Sequence, residues 1–329
     1  MGILVLSRRD VRSVIDRPAL MEAVALALVE LSTGKADVPD RQSTYLPARG
    51  ARLLSMPGHL PGLGGLGAKL LTVFPSNTSL PTHQGVTILF DPDTGQPAAL
   101  IDAADLTAER TAATSALATR ELARPDSCLL GVIGTGAQAR SHLRYLPLVC
   151  PWLIEIRVAG TTPSKASAFA AAVRGEVAVP VRPVESGAEA MADADVVCAT
   201  TSSRDPVVIR SSLKPGAHVN SVGFRTDGRE VDAETVIGSL LVVESRKAAL
   251  ASPPVGSNDL VWPMRDRLMD ESHVHAELGE LLNRSRPGRA EDAQITLFKS
   301  VGVAAQDLAA AIVVEGAARE RGIGHFVEL

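Results

Sequence analysis

Aromatic residues are scarce. Six Phe, two Tyr and two Trp make up 3% of the 329 residues, too few to line a stacking platform for single-stranded nucleic acid. Excess charge of one sign is also missing. With 33 Lys and Arg against 37 Asp and Glu, the formal net charge of −4 gives no positive field toward nucleic acid or anionic lipid. Any anion must be held by a local cluster. Cysteine is limited to Cys128, Cys150 and Cys198, with no C-x-x-C pair, which reads as small buried hydrophobes in a reducing compartment. The segment Met1–Ser7 lacks a basic stretch and a small-residue cleavage site, and no apolar run nears the roughly 18 residues of a membrane span. A cytoplasmic setting is expected, with no membrane or nucleic-acid partner. No metal is expected either, because His273 and His275 are i,i+2 and the other histidines are scattered.

What the chain does have is 46% hydrophobic residues, rich in Ala and Val, enough to build two closely packed cores. The most informative stretch is 128–145, Cys-Leu-Leu-Gly-Val-Ile-Gly-Thr-Gly-Ala-Gln-Ala-Arg-Ser-His-Leu-Arg-Tyr. An apolar run to Ile133 reads as a buried strand, Gly134-Thr135-Gly136 as a tight turn, and Ala137 onward as a helix with Ala139, Leu143 and Leu146 on its apolar face. In such a turn Gly134 permits the sharp exit, Gly136 lets the backbone approach a pyrophosphate, and Ala139 lets the helix pack close to the sheet. The helix N-terminus, at Ala137 and Gln138, then offers N–H groups and a positive dipole end to phosphate. This is the first strand–helix turn of a dinucleotide-binding fold.

Strand and helix patterns alternate from there. Strands are expected at 128–133, 153–159, 195–200, 217–222, 239–244 and Ile295–Lys299, with helices near 137–147, 164–174, 187–193 and 273–283. That is α/β, a Rossmann-type doubly wound parallel sheet. Before it, residues 1–120 read as an α+β layer: a strand Ile3–Leu6, a helix from Asp10 or Asp16 to Leu31, and short strands at Tyr45–Pro47 and Arg52–Met56. A glycine-dense turn or close-approach loop follows at Pro61–Gly67, then strands Ala68–Phe74, Gly85–Phe90 and Pro97–Ile101, and a helix from Asp105 or Thr107 to Leu122. A final helix, Val303–Arg321, is expected to pack back on that layer, giving a discontinuous domain of 1–120 plus 303–329 around a dinucleotide domain of 121–302.

A carboxylate at the end of the second Rossmann strand accepts from an adenosine 2′-OH and repels a 2′-phosphate. Here that strand runs into Gly160-Thr161-Thr162-Pro163-Ser164-Lys165, with no acid. Hydroxyls of Thr161, Thr162 and Ser164, helix N–H groups and Lys165 suit a phosphate, and NADP(H) is favoured over NAD(H). A second reading is that Thr161 or Ser164 merely caps the next helix.

Three cations stand out. Lys69 shares a strand face with Leu71 and Val73; if that face is buried, the ammonium needs an anion and its pKa falls toward the range of proton transfer, whereas a strand-end lysine reaches water. Arg110, placed in the first turn of a helix at Thr107–Leu122, makes sense there if an anion is shared between guanidinium and helix N–H groups, or else it pairs with Glu109 or Asp105. Arg41, between Asp40 and Gln42, carries less information alone. His83 is either a substrate contact or a capped loop histidine.

Taken in order, Arg41, Lys69, Pro81-Thr-His-Gln84, Glu109-Arg110-Thr-Ala-Ala113, Gly134-Thr-Gly-Ala-Gln-Ala139, Lys214-Pro-Gly-Ala-His-Val-Asn220, His275-Ala-Glu-Leu-Gly279 and Phe298-Lys-Ser-Val-Gly302 resemble the ornithine cyclodeaminase/mu-crystallin family over nearly the whole chain. The resemblance implies a homodimer built through the discontinuous domain, with the nicotinamide facing that domain. It implies that Arg41, Lys69 and Arg110 hold the carboxylate and polar end of a small amino or imino acid, with Val301 beside it. It also implies cofactor contacts from Thr82, Thr111, Gly134, Thr135, Gly136, Ala137, Gln138, Thr200, Asn220, Val222, Gly223 and Ser300. Cyclodeaminases of the family carry an aspartate soon after the Val-Gly pair. Here Val222-Gly223 is followed by Phe224-Arg225-Thr226-Asp227, and the segment to Glu230 is one residue shorter. The implied activity is therefore NAD(P)H-dependent reduction of a small imino acid (a ketimine) to an L-amino acid, or the reverse oxidation. The alternatives are a cyclodeaminase-type lyase with catalytic NAD and a non-catalytic NADPH-binding protein of mu-crystallin type.

Overall fold

The structure, a computed structural model, describes residues 2–328. The chain divides into two compact units, Met1–Arg110 with Gly302–Leu329, and Thr111–Val301. The doubly wound α/β fold is present in the second.

The first unit is built on a seven-stranded sheet in the order His325–Val327, Ile3–Leu6, Pro97–Asp102, His83–Phe90, Gly65–Val73, Ala51–Leu60, Gln42–Leu46. Its pairings are antiparallel except between Ile3–Leu6 and Pro97–Asp102. At its amino end the sequence pattern predicts one helix, and the structure makes two. Ser7 caps Arg8–Val14, and Asp16 caps Arg17–Ser32 by accepting from the Ala19 N–H at 3.0 Å, with Pro18 in the first turn, the one place in a helix that suits it.

The glycine-dense stretch is also corrected. The turn is confined to Pro61–Gly64, where Gly64 takes φ +62°, and the strand already begins at Gly65. Its glycines serve packing. A Cβ on Gly65 would stand 2.6 Å from Ile312 Cδ1, one on Gly67 3.1 Å from Leu308 Cδ2, and one on Gly58, paired with Gly67, 3.2 Å from Leu308 Cδ1. The helix Ala304–Arg321 crosses the sheet over this bare patch with Ala304, Leu308 and Ile312, a helical i, i+4, i+8 stripe.

A third correction concerns Ala103–Leu122. Asp102 Oδ1 accepts the Ala104 N–H at 3.0 Å, so the helix starts at Ala103 rather than at Asp105 or Thr107. Arg110 therefore lies about two turns in. The helix-dipole argument does not apply to it.

The second unit holds an eight-stranded, all-parallel sheet in the order Val274–Glu277, Leu240–Val243, Thr296–Lys299, His218–Ser221, Val196–Ala199, Leu129–Ile133, Glu155–Ala159, Val181–Pro183. The edge strand Val181–Pro183 was not expected. Within 273–283, predicted as helix, Val274–Glu277 is a strand and the helix is only Leu278–Leu282. The chain winds outward from Leu129–Ile133 through Glu155–Ala159 and then restarts on the other side at Val196–Ala199. The reversal falls between the strands ending at Ile133 and Ala199, where an open parallel sheet binds its ligand.

Polar clasps seat the second half of Ala103–Leu122 in this unit. His142 Nδ1–H donates to the Gln138 carbonyl at 2.8 Å, so Nε2 accepts the Ser115 hydroxyl at 2.9 Å. Asn220 Nδ2 donates to Thr119 Oγ1 at 2.8 Å, and Thr296 Oγ1 donates to the Leu122 carbonyl at 3.3 Å.

Candidate active site

In the first unit, Lys69 sits on the inward face of its strand, between Met56 and Thr87 on the neighbouring strands. Its ammonium is buried and donates to Asp307 Oδ1 at 2.6 Å. Arg110, also buried, donates from Nε to the same oxygen at 3.0 Å and from Nη1 to Gln306 Oε1 at 2.9 Å. Gln306 Oε1 also accepts the Val303 N–H at 3.0 Å, which fixes the start of the last helix. Arg41 donates to the carbonyl of Gly302. Gly302, at φ +72°, lies so close over Arg110 that a Cβ there would be 2.8 Å from Nη2. Three cations from three segments thus converge on one carboxylate and one glycine turn. Of the readings left open by the sequence, Lys69 is buried rather than wet, and Arg110 pairs with Asp307, while Glu109 meets Arg17 and Asp105 meets Arg8 and Arg12.

Burial pushes the Lys69 ammonium down to about 8, with Arg110 and Arg41 pressing the same way and Asp307 opposing them. Burial alone would raise Asp307, but Arg110 and Lys69 outweigh it and hold its carboxyl below the usual range. The cluster carries more positive than negative charge, which suits an anionic substrate group and a proton exchanged near neutral pH. His83 is exposed beside this cluster, with Nδ1 3.0 Å from Thr82 Oγ1; partial desolvation and then the charge of Lys69 lower its pKa.

In the second unit, Gly134 and Thr200 flank the sheet's reversal point. Gly134 takes φ +123°, and a Cβ on it would fall 2.4 Å from Thr200 Oγ1, whose hydroxyl donates to the Ile133 carbonyl at 3.1 Å. Gly136 is different in kind. At φ −93° its backbone needs no glycine, and a Cβ would meet no protein atom within 4 Å. The bareness at Gly136 fits a ligand's close approach, with the N-terminus of Ala137–Val149 behind it; Thr135 lies half-buried in the same turn. Gln138 Oε1 is buried there without a hydrogen-bond partner. These residues fit the pyrophosphate of a dinucleotide.

At the end of the second strand, Thr162 caps the helix Pro163–Ala172 by accepting from Lys165 N–H at 3.3 Å and shares a 2.9 Å hydrogen bond with Ser164; Thr161 and Thr162 are exposed. Elsewhere the expected cofactor residues serve internal bonds. Asn220 is buried against Thr119, its Oδ1 without a partner. Ser300 Oγ and the Val301 N–H both donate to Glu244, the latter at 3.1 Å. Gly223 is held by Glu230 and Lys299, and Val222 N–H donates to the Ala199 carbonyl at 3.0 Å. Thr82 is half-buried in the first unit and Thr111 buried in the second.

Asp227 is exposed and taken up by Arg204 at 2.7 Å and Arg225 at 2.8 Å, which hold its carboxyl far below the usual range. Sequence reasoning missed Asp307, Gln306, Glu230, Asp259, Lys299 and Glu244. The signal for the first two was a Gln-Asp pair just ahead of the apolar run Leu308–Val314 in the same helix. Among the described residues no three His, Cys, Asp or Glu side chains are grouped to hold a metal, and no helix is long and apolar enough to cross a membrane.

A clamp of buried cations in one unit and a doubly wound nucleotide sheet in the other define a class, the dinucleotide-dependent enzymes of small carboxylates. The particular branch follows from comparison with known proteins. The model of the ornithine cyclodeaminase/mu-crystallin family matches residues 2–322, and the chain belongs to that family. It is 34% identical over 330 residues to a Delta(1)-pyrroline-2-carboxylate reductase of Bacillus cereus, covering 99% of this chain and 100% of that one. To the ketimine reductase mu-crystallin of Mus musculus it is 38% identical over 262 residues, 79% of this chain and 78% of that one. Thermococcus litoralis Delta(1)-pyrroline-2-carboxylate reductase, solved in complex with NADH and L-proline, superposes with a TM-score of 0.94 at 38% identity, covering 99% of this chain and 100% of that one.

Proposed function

We propose that this protein reduces a small imino acid, a C=N bond beside a carboxylate, to an L-amino acid, and in the reverse direction oxidises the amino acid. The observation that carries the reading is the Lys69–Asp307–Arg110 cluster, a buried, net-positive site with a lysine poised near neutral pH. A nicotinamide dinucleotide supplies the hydride. Arg110, oriented by Asp307 and Gln306, and Arg41 take the substrate carboxylate. Lys69 favours the electron pair that shifts onto nitrogen as hydride reaches carbon, and its ammonium delivers the proton that completes the amine. Holding the substrate by its carboxylate leaves the C=N carbon as the atom presented for reduction.

Residues 160–165 contain no carboxylate and offer Thr161, Thr162 and Lys165, which supports preference for NADP(H), with NAD(H) also accepted. The lyase alternative is disfavoured because Asp227, the first acid after Val222-Gly223, is spent on Arg204 and Arg225. A homodimer belongs to the reading, supported by Tyr45, Leu46, Leu53 and Leu70, exposed apolar residues on three adjacent strands of the first unit's sheet. So does a reducing cytoplasm, in keeping with three free cysteines.

The test is oxidation of NADPH and NADH, followed by absorbance, with pyrroline-2-carboxylate, piperideine-2-carboxylate, and pyruvate plus amines. Stoichiometric consumption with the best imino acid is expected, falling by about 100-fold or more in kcat/KM in Lys69→Ala and Arg110→Ala. Tight cofactor binding with no turnover on any substrate would overturn it, as would ammonia release from ornithine without net cofactor consumption.

A further inference from the structure

Beyond the reversal point, three adjacent strands end in loops tied together by buried charge. Lys299, fully buried at the end of its strand, donates to the Gly223 carbonyl at 2.7 Å and to Ser221 Oγ at 3.0 Å, and pairs with Asp259 Oδ2 at 3.0 Å. Asp259 Oδ1 accepts the N–H groups of Glu230 and Val231, each at 2.7 Å. Glu230 then closes the circuit. Its Oε2 accepts the Gly223 N–H and the Ser221 hydroxyl, each at 2.7 Å, and its Oε1 accepts the Thr201 N–H at 2.6 Å and hydroxyl at 2.9 Å.

The Gly223 peptides are therefore gripped from both sides, the N–H by a carboxylate and the carbonyl by an ammonium. No side chain fits between: a Cβ on Gly223 would lie 2.3 Å from Glu230 Oε1 and 2.4 Å from the Thr201 carbonyl. Buried ion pairs are in general weak sources of stability, whereas the directional bonds of this circuit fix the Gly223 peptides in one orientation. They act on the ends of Val196–Ala199, His218–Ser221 and Thr296–Lys299, all on one side of the reversal.

A doubly wound sheet binds the two halves of a dinucleotide on opposite sides of that point, with the adenosine half toward the second strand, here Glu155–Ala159. We propose that Lys299, Asp259 and Glu230 are positioning residues for the nicotinamide half of the dinucleotide, setting the Gly223 peptides and the Thr201 and Val222 loop ends against which that half is held. The inference rests on the dinucleotide reading above and goes beyond it by dividing the site energetically. Fragments test this division, because 2′,5′-ADP and ADP occupy the adenosine half alone.

Calorimetric titration of the protein compares NADPH and NADH with 2′,5′-ADP and ADP, in the wild type, in Glu230→Gln, and in Lys299→Met combined with Asp259→Asn so that neither partner of that ion pair is left behind. The expected result is a loss of 10-fold or more in affinity for the reduced dinucleotide, with fragment affinity unchanged within twofold, and a fall in kcat larger than any change in KM for the imino acid. Ser221→Ala, which removes one hydrogen bond to each of Lys299 and Glu230, gives the same asymmetry on a smaller scale should the charge variants fail to fold. Equal losses for dinucleotide and fragments, or no loss in folded variants, would overturn the positioning role. A wild type that binds fragments but neither dinucleotide would sink the dinucleotide reading itself.

Discussion

Asp307 decides how the cation cluster behaves with pH. It supports the charged form of Lys69, which burial, Arg110 and Arg41 all oppose, so the ammonium is held at about 8. Rates that need the ammonium are therefore full below that value and decline as pH rises through it. Asp307→Asn removes the one opposing anion while keeping an acceptor at Oδ1. The alkaline limb of kcat/KM for imino-acid reduction is expected to move to lower pH, with pH–rate profiles of wild type and variant as the measurement. An unmoved limb would show that another group donates the proton. The same residue shows why the site was only half legible in the sequence. Lys69 and Arg110 draw notice as cations in apolar surroundings, but their partner lies 238 residues from Lys69, and no local pattern joins them.

At the scale of elements, what was legible was what is local. The Gly134-Thr-Gly136 turn shows itself because a strand, a φ of +123° and a helix start must follow one another in a few residues. Element edges were less visible. Asp102, Asp105 and Thr107 are all plausible helix caps, and the choice of Asp102 moved Arg110 away from the helix end. Gly65 and Gly67 were assigned to a turn or close-approach loop for a different reason: read alone they signal such a loop, whereas they lie in a strand that the helix of residues 304–321 uses as a docking floor. Gly67→Ala tests that role. Its Cβ would stand 2.2 Å from the Ile88 carbonyl and 3.1 Å from Leu308, so the sheet or the helix must shift. Denaturant melts should show a loss of about 1–3 kcal/mol, with Lys69-dependent activity falling further because Asp307 rides on the displaced helix.

For the whole molecule, acid stability is set in part by two buried neutral histidines. Burial lowers His142 to about 4 and His218 to about 3, with Arg289 adding to the effect at His218. Both lie below the ordinary value of 6.5, so on acidification the unfolded chain takes up these protons first. Stability should fall as pH drops below that value, by about 1.4 kcal/mol per pH unit per histidine until each folded pKa is reached. Chemical denaturation from pH 7 to 5 measures the slope, and His142→Gln should flatten it. Assembly is the other property at this scale. Leu53→Lys with Leu70→Lys places charge on the exposed outer face of the first unit's sheet; if the proposed dimer uses that face, size-exclusion chromatography with light scattering is expected to show a dimer for the wild type and monomers for the variant.

The carboxylate that binds Lys69 and Arg110 belongs to a helix within the 28 residues of the first unit's second segment, Gly302–Leu329. During synthesis, the lysine and arginine are made long before that helix, and the sheet's glycine floor stays uncovered until residues 304–321 follow. A growing chain thus completes the cation cluster only after the helix Ala304–Arg321 is made, and a product cut short before residue 304 would retain the parallel sheet while Lys69 and Arg110 lacked Asp307.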